Sequence, residues 1–160
     1  MGLAREACPP PTRRITMWTM GPWLTDRPID VGHLLSGVAS PGAGATVVFL
    51  GTVRRSAEDG AIEAIEYSAY DEMAEAEFER IVAEATARWP QARVALRHRI
   101  GLVPLGEASV VIVTAAPHRA EAYAASRFLI EETKRRAPIW KKERFLSGQS
   151  RWVEGQQGGG

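Results

Sequence analysis

The chain has 160 residues, 45% hydrophobic and 24% charged, which fits one globular domain with a core that needs neither disulfide nor metal. A net charge of +1 argues against a general polyanion binder, and a single cysteine, Cys8, excludes an intramolecular disulfide or a thiolate metal cluster. No apolar run reaches the roughly 18 residues of a membrane span, and residues 1–16 lack the apolar stretch of a signal peptide, so the chain reads as cytoplasmic with no membrane partner.

Residues 1–20, with Pro9-Pro10-Pro11 and Arg13-Arg14, read as a disordered leader that also holds Cys8. The folded domain is expected over 21–154, and a flexible Gly-rich tail over 155–160. Trp23-Leu24 opens a first strand. Residues 28–36 form a short helix with Ile29, Val31, Leu34 and Leu35 as its apolar positions, and 40–44 is a loop. The run 45–53 (ATVVFLGTV) is continuous and β-branched, so it predicts a buried strand. Gly51 within it predicts a bulge or a close backbone approach. A polar turn at 57–60 and a second strand at 61–70 make 45–70 a hairpin.

Residues 71–89 form a helix, with Phe78, Ile81, Val82, Ala85 and Trp89 at helical spacing and Pro90 as its stop. Residues 71–84 carry six acids against Arg80. Residues 93–100 alternate, with Val94, Leu96, His98 and Ile100 on one face and a wet, basic face of Arg93, Arg97 and Arg99 opposite. Residues 101–106 read as a loop, and 108–116 (ASVVIVTAA) as a central strand. The last long helix spans 119–136 and is poorly capped, since no Ser, Thr, Asp or Asn precedes it. Pro138 ends it, and strands follow at 139–146 and 151–154. This order is α+β, with a mostly antiparallel or mixed sheet packed by two long helices.

The chemistry concentrates at element ends. Residues 134–144 hold six of the chain's 20 Lys and Arg and one acid. Further candidates are Arg54 after a strand and His118-Arg119 at a helix start. With Lys134, Lys141 and Lys142 around the proline corner they suit a small anion, through an Arg fork, Lys point charges and helix N-terminal donors. Plainer readings stay open: the charge run is a solvated helix end, His118 caps its helix, Arg54 is a surface arginine, Trp140 is packed, and His98 is a hydrogen-bonded core histidine. His33 has no nameable partner. His118 and Lys134 stand 16 residues apart, roughly 24 Å along one helix. If both serve one small-molecule site, they come from two copies of the chain.

Phe49-Leu50-Gly51-Thr52-Val53-Arg54, Glu66-Tyr67 through Tyr70-Asp71-Glu72-Met73-Ala74, His98-Arg99-Ile100-Gly101, Pro117-His118-Arg119, Lys134 and Ala137-Pro138-Ile139-Trp140-Lys141-Lys142-Glu143 together resemble the large, catalytic subunit of molybdopterin synthase. The resemblance covers about 22–154. It implies an α/β hammerhead with an additional antiparallel β-sheet. It also implies a sulfurtransferase that converts cyclic pyranopterin monophosphate to the dithiolene molybdopterin. The implied sulfur donor is the C-terminal Gly-Gly thiocarboxylate of a small ubiquitin-like carrier, bound to a homodimer within a heterotetramer. By position the resemblance makes Lys134 and Lys141 catalytic. It assigns substrate binding to Thr52, Val53, Arg54, His118, Arg119, Lys142 and Glu143, with the His118-Arg119 pair serving the neighbouring subunit and Lys142 and Glu143 lining one turn. It implies no cofactor, metal or nucleic acid. Two other readings are a carrier-binding scaffold without activity, and a single-stranded nucleic-acid module stacking bases on Trp140 and Phe145. The Gly158-Gly159-Gly160 ending is not part of the resemblance.

Overall fold

A computed structural model describes residues 22–55 and 60–153. The expected leader with Cys8, most of the turn at 57–60, and the tail lie outside the described residues. The chain runs β1 (Leu24–Thr25), α1 (Val31–Val38), β2 (Ala45–Thr52), β3 (Ile62–Ala69), α2 (Asp71–Arg88), β4 (Arg93–Arg99), β5 (Gly101–Pro104), β6 (Ala108–Ala116), α3 (Arg119–Arg136), β7 (Ile139–Phe145) and β8 (Ser150–Val153). It is α+β: a mixed sheet of order β1-β4-β6-β2, packed by two long helices, and an additional antiparallel sheet of order β5-β3-β7-β8. β1 pairs with β4 in parallel, and the other pairings are antiparallel.

The apolar run of β6 makes it the centre of the first sheet, buried from Ser109 to Ala116. On one face α2 and α3 bury Ala74, Phe78, Ile81, Val82, Ala85 and Leu129 against Val94, Leu96, Val110 and Ile112. On the other face α1 lays Leu34 and Val38 over Ala95, Val111, Val113 and Ala115. Burying each of the Val, Leu, Ile and Phe side chains among these stabilises by about 1.5–3 kcal/mol. Asp30 caps α1, accepting from the His33 amide at 3.0 Å, so the helix begins three residues later than the sequence suggests and runs to Val38.

Several expectations fail for identifiable reasons. Residues 45–70 are not a hairpin. β2 pairs with β6, from Ala45 opposite Ala116 to Thr52 opposite Ala108, while β3 joins the second sheet. The Glu63, Glu66 and Ser68 side chains of β3 suit a sheet with one open face, not one covered on both sides. Nor is β2 buried. It is an edge strand outside the reach of α1, so Thr46, Val48, Leu50 and Thr52 are exposed, Val48 at 38% and Leu50 at 48%. The expected loop at 101–106 contains β5. Gly101, at φ +82°, turns the chain out of the first sheet into the second, a conformation that only glycine adopts without strain.

The expected wet face of 93–99 is also covered. Ala95 is buried under α1, Arg93 donates to the Gly37 carbonyl at 3.3 Å, and buried Arg99 pairs with Glu107. The bulge at Gly51 is present as a register shift between Gly51 and Thr52. A Cβ on Gly51 would lie 2.5 Å from Val110 Cγ1, so the strand crosses its neighbour too closely for a side chain. Among the described residues no helix is long and apolar enough to cross a membrane.

Candidate active site

α3 ends at Arg136, and the backbone resumes as β7 at Ile139, so Pro138 breaks the helix where the sequence places the break. The basic corner is largely neutralised by acids. Arg136 donates to Glu77 at 2.5 Å, to Glu84 through two nitrogens at 2.9 Å, and to Glu132 at 3.2 Å. Its hydrogen bonds hold the Glu84 carboxyl below the usual carboxylate range, and those of Arg135 do the same for Glu132. Arg135 pairs with Glu132, and Arg144 with Glu66 at 2.5 Å. The acidic face of α2 therefore answers the corner inside the fold. The corner also carries Lys134, Lys141 and Lys142.

Lys134 is exposed on the last turn of α3, and its charge is felt by His98. Lys141 and Lys142 lie in β7, not in a turn, and alternation sends them to opposite faces. Lys141 is in register with Tyr67 of β3. Lys142 holds its ammonium 5.4 Å from the Trp152 ring centroid on the opposite, outer face. Glu143 is buried beside Lys141's strand position and accepts from Arg151 at 2.6 Å. Trp140 is 49% exposed rather than packed, because it shares that outer face.

The end of β2 lies towards the same end of the molecule: Thr52 stands opposite Ala108 at the start of β6, and α3, with Ala122 at Thr114 and Leu129 in the cluster of Val110 and Ile112, runs back towards that start. Ser109 Oγ donates to the Gly51 carbonyl at 3.1 Å, the Val53 amide to Glu107 O at 2.9 Å, and the Gly106 amide to Val53 O at 2.7 Å. Val53 is thereby buried while Thr52 and Arg54 stay exposed. At the seam between the sheets stands His98, its Nδ1 donating to the Arg99 carbonyl at 2.8 Å and its ring edge-on to Tyr67, with centroids 5.3 Å apart. Burial pushes its pKa down to about 4, and the charge of Lys134 pushes the same way. It is a neutral core histidine. Tyr67 enters the sequence resemblance as part of its Glu66-Tyr67 segment with no role attached, and Ser109 is marked there only as a polar side chain inside a strand-forming run.

His118 and Arg119 lie apart from all of this. They are exposed at the start of α3, an 18-residue helix whose other end carries Lys134. The separation is about 24 Å at 1.5 Å per residue. His118 occupies the N-cap position, but its side chain makes no capping hydrogen bond. Pro117 ahead of it sits against Gly44, where a Cβ would be 2.4 Å from the Pro117 carbonyl oxygen. One chain thus gathers Thr52, Val53, Arg54, Lys134 and Lys141 at one end and leaves His118 and Arg119 at the other.

The family model described as MoaE protein matches residues 24–136. A molybdopterin synthase catalytic subunit of Halalkalibacterium halodurans is 41% identical over 133 residues, 83% of this chain and 85% of that protein. One of Aspergillus niger is 43% identical over 129 residues, 81% of this chain and 72% of that protein. The crystal structure of molybdopterin synthase from Staphylococcus aureus superposes with a TM-score of 0.79 at 34% identity, covering 83% of this chain and 96% of that one.

Proposed function

The chain belongs to the MoaE family of molybdopterin synthase catalytic subunits, and from that premise we propose that it transfers sulfur to cyclic pyranopterin monophosphate from the C-terminal thiocarboxylate of a small ubiquitin-like carrier. The observation that carries this reading is the gathering of Arg54, Lys134 and Lys141 at one end of the fold, around the seam between its two sheets. In the reading, the thiocarboxylate sulfur attacks the pterin side chain while the cyclic phosphate opens. Water then releases the carrier as a carboxylate. A second thiocarboxylate adds at the neighbouring side-chain carbon, whose oxygen leaves as water, and hydrolysis again frees the carrier to complete the dithiolene.

Arg54 offers a fork for the phosphate and Lys141 a point charge beside it. Lys134 transfers a proton or stabilises developing charge. Thr52 and Val53 set the approach of Arg54, and Glu143 holds the base of β7. Lys142, on the opposite face of β7, reaches substrate only at the strand's edge. His118 and Arg119 complete the anion site of a second copy in a homodimer, and two carriers make the assembly a heterotetramer. The relatives' designation as a catalytic subunit supports a further subunit of another kind. The reading places the enzyme in the cytoplasm, without cofactor. Ion pairing of Arg135, Arg136 and Arg144 weakens the nucleic-acid alternative, because a strand would have to displace Glu132, Glu77, Glu84 and Glu66.

The test is product formation from purified protein, thiocarboxylated carrier and cyclic pyranopterin monophosphate. Lys134→Ala should lower turnover by about 10²–10⁴-fold with an unchanged melting temperature. Near-normal turnover would remove Lys134 from the mechanism. Tight carrier binding without product, in the unmodified protein, would mark a scaffold instead.

A further inference from the structure

The turn between β5 and β6 ties the second sheet to the end of β2. Its Leu105 amide donates to the Glu63 carbonyl of β3 at 3.0 Å, and its Glu107 amide closes the turn onto the Pro104 carbonyl at 3.1 Å. The turn also holds Val53 on both sides. The Val53 amide donates to the Glu107 carbonyl at 2.9 Å, and the Gly106 amide donates to the Val53 carbonyl at 2.7 Å. The second of these bonds fixes the peptide plane that joins Val53 to Arg54. Gly106 makes it from φ +85°, where a side chain would strain the backbone.

One side chain of the first sheet reaches this turn. Arg99 ends β4, is buried, and pairs through Nη1 with the Glu107 carboxylate. Its Nε has no hydrogen-bond partner among the described residues, so Glu107 is the group that answers a cation taken out of water. A buried guanidinium is costly without its acid, and the pair therefore holds Glu107 in one place. Between Arg99 and Glu107 the chain leaves for the second sheet as β5 and returns as β6. The ion pair closes that excursion, and Val53 is bonded to the closed end.

We propose that Arg99 is a positioning residue: through Glu107 it fixes the turn that clamps Val53, and so sets Arg54 at the end of β2. Its importance for turnover rests on the proposed substrate role of Arg54. The linkage itself rests only on the geometry.

Arg99→Met keeps an unbranched stem in the buried site and leaves the half-exposed Glu107 to water. Hydrogen exchange at the Val53 and Gly106 amides should become about tenfold faster in this variant, while Val111 and Val113 inside β6 keep their rates. KM for cyclic pyranopterin monophosphate should rise about tenfold with kcat nearly unchanged. Glu107→Ala should do the same, although it removes the opposite charge. The double variant avoids a stranded cation and should be no worse than either change alone, because both cut one pair. Unchanged exchange at Val53 and Gly106 in Arg99→Met overturns the linkage whatever the substrate is. So does exchange that quickens equally at Val111 and Val113, which marks general loss of stability. KM moving in opposite directions in the two single variants would mark a direct effect of charge and also overturns it. Faster exchange with an unchanged KM overturns the part that rests on Arg54 holding substrate, and with it that residue's place in the proposed function.

Discussion

His98 shows how far a single residue can be read before its surroundings are known. Its place on the apolar face of an alternating strand marked it as a core histidine, and the fold puts it there, neutral. What the alternation could not show is that Lys134 lies near enough to add to the effect of burial. The folded pKa, about 4, is below the ordinary 6.5, so the unfolded chain takes up the proton first. Stability from this group is full above pH 6.5 and is lost as pH falls towards 4, by about 2–3 kcal/mol at 1.36 kcal/mol per unit. Unfolding free energies measured from pH 7 to 4 should fall by that much more in the natural protein than in His98→Gln. Parallel curves for the two would contradict the assignment. Trp140 is the opposite case: its apolar character suggested packing, but strand alternation put it on an open face.

At the level of elements, the helices were legible because their limits are local. Pro90 and Pro138 stop the chain wherever it folds, and the spacing of Phe78, Ile81, Val82 and Ala85 fixes the buried face of α2. Strand partners were not legible, because pairing is decided by which faces can be covered. β2 and β3 are consecutive and would suit a hairpin, but the central strand β6 claims β2, and the polar face of β3 belongs in the one-sided sheet. The contrast between an acidic helix and a basic corner was visible in the sequence as a charge balance. The fold makes it a contact, with Arg136 of α3 binding Glu77 and Glu84 of α2. Arg136→Ala should leave Glu77, Glu84 and Glu132 clustered with Arg80 and Arg135 as their remaining ion-pair partners, and lower the melting temperature by roughly 2–6 °C, with partial recovery in high salt. A melting temperature unaffected at low salt would mean that the network contributes nothing to holding the helices together.

For the whole molecule, the separation of His118 from Lys134 was legible because both lie on one uninterrupted helix, where distance follows from residue count. The seam where Tyr67 of one sheet meets His98 of the other was not, because it joins residues of two strands that only the sheet topology brings together. The central claim is that an intact site draws Arg54, Lys134 and Lys141 from one chain and His118 and Arg119 from its neighbour. The most direct measurement uses two inactive variants, Lys134→Ala and the double variant His118→Ala/Arg119→Ala, co-refolded in equal amounts and assayed for molybdopterin with thiocarboxylated carrier. Half of the random dimers are mixed, and each mixed dimer holds one site free of either change, so activity should return to about a quarter of the natural level. Activity no higher than the mean of the two separate variants would contradict a site shared between chains.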